Sequence, residues 1–96
     1  MTLHTLNASP ASAAFAECIR FISPGDTLLL LGDGVYAALR DTPASAELLT
    51  TGASLYVLRE DATAAGIVSR IANATVVDIA GFAELTESHP CQMAWY

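Results

Sequence analysis

At 96 residues, 53% of them hydrophobic and with a mean hydropathy of +0.45, the chain is sized for one domain, 1–96, yet holds more apolar side chains than one small core can hide. Its basic residues are Arg20, Arg40, Arg59 and Arg70, there is no lysine, and the formal net charge is −6, which excludes the basic stripe that a direct nucleic-acid interface needs. No window approaches the roughly 18 apolar residues of a membrane span, and Met1-Thr2-Leu3-His4 has no basic region before an apolar stretch. A cytoplasmic location is therefore expected, with no membrane partner and with Cys18 and Cys91 as reduced thiols. The apolar excess is best placed at a subunit interface.

Thr2 to Leu6 reads as a first strand, and Ser9-Pro10 supplies a cap and a first-turn residue for a helix reaching about Ile22. Ser23-Pro24-Gly25 stops that helix, and Asp26 to Leu31 forms a second strand. Its apolar run is short, continuous and bounded by glycines, as in a strand buried on both faces of a parallel sheet. Val35 to Leu39 is a short helical segment, and Thr42-Pro43 begins a helix that Gly52 closes. Leu55 to Leu58 is the third strand. Asp61 is placed to N-cap a helix through Ile71, with Gly66 weakening its middle by roughly 1 kcal/mol relative to alanine. Thr75 to Ile79 is the fourth strand, and Gly81 to Leu85 a last helix ended by His89-Pro90. Gln92 to Tyr96 is an apolar tail able to pair as a fifth strand, because proline biases its neighbourhood toward extended geometry. Strands alternating with helices at these intervals predict a three-layer α/β/α sandwich with a mainly parallel sheet.

The chemistry-bearing residues are few. Cys18 falls with Phe15, Ile19 and Ile22 on one apolar helical stripe, the pattern of a small core residue; a sulfur-carrying role would require an exposed thiol of lowered pKa. His89 and Cys91 flank Pro90, and adding His4 and Cys18 gives four side chains without any recognised metal spacing, so no metal site is expected. The histidines read as structural or solvated. Gly32-Asp33-Gly34 lies at the carboxyl end of the second strand, where open parallel sheets keep their contacts. It lacks the dinucleotide and triphosphate fingerprints, and Asp33 would repel a phosphate. No cofactor is expected. The plain reading of Asp33 is a cap for the following helix, and Glu60-Asp61 reads the same way.

Taken together, Leu3-His4-Thr5-Leu6, Ser9-Pro10, Gly25-Asp26 with the leucine run into Asp33-Gly34-Val35, Glu60-Asp61 with Gly66, and His89-Pro90-Cys91-Gln92-Met93-Ala94-Trp95 closely resemble the TusB/DsrH family. The resemblance spans the chain, and its most specific part is the carboxyl-terminal His-Pro-x-Gln-Met-Ala-Trp. It implies a DsrE/DsrF/DsrH-like fold and the role of smallest subunit in a TusB-TusC-TusD heterohexamer, a dimer of heterotrimers. That assembly passes persulfide sulfur from TusA to TusE for 2-thiolation of the tRNA wobble uridine. In this family the principal sulfur-accepting cysteine belongs to the TusD or DsrE subunit, so no residue here inherits that role. Cys18 matches the first-helix cysteine of DsrH-type members, which leaves the sulfur-oxidising DsrEFH branch as an alternative, beside a stand-alone α/β binding domain or enzyme. Asp33, Trp95 and Tyr96 are the expected interface residues.

Overall fold

The computed structural model describes residues Met1–Tyr96. In chain order the elements are β1 (Thr2–Leu6), α1 (Ala13–Phe21), β2 (Thr27–Leu30), a 3-10 helix (Gly32–Ala38), α2 (Pro43–Thr50), β3 (Ser54–Leu58), α3 (Arg59–Ala64), a one-turn 3-10 segment (Val68–Arg70), β4 (Thr75–Val77), α4 (Ile79–Ser88) and β5 (Cys91–Trp95). All five strands are parallel, in the order β4-β3-β2-β1-β5. The leucine run explains the centre of this sheet, since every residue of β2 is buried, as expected where a strand is covered on both faces.

The topology also determines which helix goes where. From β1 the chain steps outward to β4 and then returns to the far side of β1. With right-handed crossovers, connections that travel one way lie on one face and a connection that travels back lies on the other. Accordingly Phe15, Cys18 and Ile22 from α1 and its end, Leu48 of α2 and Ala62 of α3 share one apolar cluster with Leu6, Leu28, Leu30 and Val57. Leu3 and Leu29, one residue out of phase along their strands, are buried on the opposite side. Only α4 crosses there, and none of its residues is fully buried.

Several element boundaries differ from the sequence expectation, each for a local reason. Ser9-Pro10 forms a turn ahead of α1, and Ser12 is the cap: its hydroxyl accepts the Phe15 N–H at 3.2 Å. The helix after β3 ends at Ala64 instead of Ile71. Gly66, at φ +74°, is its terminator, with Ile67 N–H donating to Ala62 C=O and Gly66 N–H to Thr63 C=O, the paired bonds of a Schellman ending. Asp78, expected inside a strand, caps α4 by accepting Gly81 N–H at 2.8 Å, so β4 stops at Val77. The apolar tail is β5, in register with β1 from Thr2 opposite Cys91 to Leu6 opposite Trp95.

Candidate functional site

The first-helix cysteine lies within the core. α1 turns Phe15 and Cys18 toward the sheet, and the Cys18 side chain is 0% exposed. Desolvation by burial pushes its thiol from 9.0 up to about 11. A thiol so placed is a weak nucleophile at neutral pH. Cys91, by contrast, opens the edge strand β5 and is exposed. Both are free thiols.

The polar centre of the molecule is a hydrogen-bonded chain made of His4, Asp26 and Trp95, contributed by β1, the turn before β2 and the end of β5. His4 is 2% exposed and its Nε2 lies 3.0 Å from Asp26 Oδ2. Asp26 also accepts the Ser23 N–H on Oδ2 and the Thr2 N–H on Oδ1, each at 3.0 Å. The Ser23 and Thr2 amides, with a smaller contribution from His4, hold its carboxyl down at about 2 despite burial. The indole Nε1–H of Trp95 donates to His4 Nδ1 at 3.1 Å. An indole can only donate, so Nδ1 is the acceptor and the proton of the neutral ring resides on Nε2, where it is given to Asp26. This resembles the Asp-His pair of a hydrolase, but the ring atom that would serve a nucleophile is occupied by Trp95.

Sequence reasoning passed over this arrangement. His4 read as structural or solvated, and Asp26 was not singled out. The available signal was an aspartate directly ahead of a fully apolar strand, since a buried carboxylate needs donors. Trp95, an expected interface residue, is half-buried with its ring centroid 5.4 Å from that of Phe21. Tyr96, another, is 85% exposed at the chain end.

The turn containing Asp33 lies beside the carboxyl ends of β2 and β3, where Gly32, Asp33, Tyr36, Asp61, Ala64 and Ala65 line a shallow concavity of about 230 Å³. Asp33 is exposed, and no side chain caps the 3-10 helix, which corrects the capping expectation. The preceding strand ends in a 3-10 turn whose first amide is satisfied from elsewhere: Asp61 Oδ2 accepts Gly32 N–H at 2.7 Å. Asp61 is thus a cross-strand brace inside the first turn of α3, and not that helix's cap. Gly32 has φ +54°, and a side chain there would meet Asn7; one at Gly34 would strike the Leu6 carbonyl oxygen. Two carboxylates lining a concavity without a cation make a poor cradle for phosphate. No three His, Cys, Asp or Glu side chains are grouped so as to hold a metal ion.

The carboxyl-terminal signature is a set of anchors. His89 Nδ1 donates to the Leu85 carbonyl at 2.7 Å, leaving Nε2 of the neutral ring to accept from the Thr27 hydroxyl at 3.1 Å. Gln92 Nε2 donates to the Thr86 and His89 carbonyls. Trp95 returns a main-chain bond, its carbonyl accepting Asn7 N–H at 2.9 Å. These contacts tie α4 to β2 and β5 to β1.

Fold and site together define a small all-parallel α/β/α domain whose buried polar side chains are all hydrogen-bonded. The chain belongs to the DsrH-like protein family, whose model matches residues 8–92. It is 43% identical over 94 residues to the protein TusB of Pectobacterium parmentieri and, to the same extent, to the protein TusB of Escherichia coli strain K12. Each alignment covers 97% of this chain and 99% of the relative.

Proposed function

We propose that the chain is an accessory subunit of a TusBCD-type sulfurtransferase complex in the cytoplasm, relaying persulfide sulfur for 2-thiolation of the tRNA wobble uridine. TusC-like and TusD-like chains are its partners in a dimer of heterotrimers. TusA delivers sulfur to the complex and TusE receives it, with the principal sulfur-accepting cysteine on a partner subunit. The observation that carries this reading is the end-to-end match to TusB proteins in a chain whose first-helix cysteine is sealed in the core. Further support comes from apolar side chains left in water: Phe21, Leu49, Ile79, Met93 and Tyr96 are all exposed, an arrangement that favours association. With four arginines, no lysine and a net charge of −6, the chain is poorly suited to hold tRNA, and that contact falls to other proteins of the relay.

Co-expression with TusC-like and TusD-like chains tests the proposal. An equimolar complex is expected that passes labelled sulfur from a persulfidated TusA to TusE, with loss of transfer when this chain is omitted. A monomer that ignores both partners, or a complex that transfers sulfur equally well without it, would overturn the proposal. Transfer to a sulfite-reductase system in place of TusE would move the chain to the sulfur-oxidising branch.

A further inference from the structure

We propose that the Trp95 indole at the end of β5 is a proton-released latch: uptake of a second proton by His4 breaks the His4-Trp95 bond and frees the indole, while the Trp95 carbonyl keeps its main-chain bond to Asn7 N–H. The inference rests on the hydrogen-bond geometry and is independent of the assembly reading. In the closed state both ring nitrogens of His4 are engaged. Trp95 Nε1–H donates to His4 Nδ1 at 3.1 Å, His4 Nε2–H donates to Asp26 at 3.0 Å, and no buried side-chain polar atom lacks a partner.

A proton on Nδ1 would turn that acceptor into a donor facing another donor, and the indole has no acceptor atom with which to answer. The same proton would convert the His4-Asp26 hydrogen bond into an ion pair, because Asp26 is ionised and held by two backbone amides. One interaction is therefore exchanged for another. The Trp95 bond favours the neutral ring and Asp26 favours the charged one. Around His4, Asp26 is the charged group in hydrogen-bond contact. From α1 the Cys18 thiol lies in the neighbouring core, while Glu17 and Arg20 are exposed. From β5 Cys91 is exposed as well.

Trp95 is the partner able to move. It is half-buried, it closes the edge strand, and the residue after it is exposed, whereas His4 is enclosed within β1. Its departure would uncover the ring of Phe21, now 5.4 Å away and 62% exposed. The latch is closed at higher pH and opens as pH falls. It would enlarge an apolar patch at the sheet edge on acidification.

The test uses the full chain and Trp95→Phe, which keeps an aromatic ring and removes the donor. Long-range ¹⁵N–¹H NMR should place the His4 proton on Nε2 at neutral pH. Trp95 is the only tryptophan, and its emission should shift to the red with the same midpoint at which His4 gains its second proton. In Trp95→Phe that midpoint should rise by roughly half to one pH unit, the size expected for losing one hydrogen bond to the neutral form. A proton on Nδ1, an unchanged midpoint in the variant, or a His4 that stays neutral until the whole chain unfolds would overturn the proposal. Should the variant not fold, coincidence or separation of the two midpoints in the parent chain decides the matter.

Discussion

Cys18 should be almost inert toward thiol reagents while the fold is intact, and the structure allows the size of the effect to be worked out. Burial raises its thiol from 9.0 to about 11. At pH 7.5 an unperturbed thiol of that reference value is roughly 3% thiolate, whereas Cys18 would be roughly 0.03%, about a hundredfold less of the reactive species. Access lowers the rate further, since the side chain is enclosed between α1 and the sheet and a reagent must wait for local or global opening. Cys91, exposed on β5, has no such barrier. Timed alkylation with iodoacetamide at pH 7.5, read by intact mass and peptide mapping, should therefore show one rapid adduct at Cys91. The second, at Cys18, should form at least about a hundred times more slowly and become fast in denaturant. Labelling of Cys18 within tenfold of Cys91 in the native chain would refute the argument. So would stoichiometric persulfide on Cys18 in an assembled complex whose transfer is lost in Cys18→Ser.

Asp26 makes a linked prediction about acid. Its carboxyl is lowered from 3.8 to about 2 by the Ser23 and Thr2 amides and His4, so its stabilisation is fully present above about pH 4 and is lost as pH falls toward 2. Urea unfolding across that range should show a loss of roughly 2 kcal/mol, and Asp26→Asn should begin lower at pH 7 and lack that part of the acid slope. Gly34→Ala should cost about 3 kcal/mol or prevent folding, because its methyl group would strike the Leu6 carbonyl; a thermal midpoint equal to the parent's would contradict the close approach. Asp61→Ala leaves the Gly32 amide without its acceptor and should destabilise by about 1–2 kcal/mol. Unchanged urea unfolding would show that water replaces the carboxylate without loss.

What could be read from the sequence was whatever depends on local pattern. The leucine run announced a central parallel strand, and the alternation of strands with helices announced the α/β/α layering, because both follow from periodicity and burial. Helix ends were legible only in part. Thr42-Pro43 does begin α2, with the Thr42 hydroxyl accepting Ser45 N–H at 3.3 Å, since cap and helix are adjacent in sequence. Gly66 was placed correctly in the chain and misread in role, because a glycine weakening a helix and a glycine ending one differ only in φ. The partners of Asp61 and Asp26 were beyond reach for a different reason, although the place of Asp26 ahead of an apolar strand marks it as a carboxylate that needs donors. These partners lie 29 and 22 residues away, at Gly32 and His4, and nothing in a local window distinguishes a carboxylate bracing a distant element from one capping its own helix.

The carboxyl-terminal signature residues act on the architecture of this chain through the bonds that their polar groups make. His89 and Trp95 bond to Thr27 and His4, and Gln92 bonds at the surface to the last turn of α4. Matching these residues therefore secures the placement of the edge strand, not a reaction. Cys91 and Met93, on the same face of β5 as Trp95, are exposed, and Tyr96 follows the strand into solvent. Parallel strands of this kind are normally covered on both faces, yet the return of the chain to the far side of β1 leaves α4 as the single helix on one face and β5 as an open edge. With Trp95 bonded to the interior, β5 is held in register along β1, from Thr2 opposite Cys91 to Leu6 opposite Trp95.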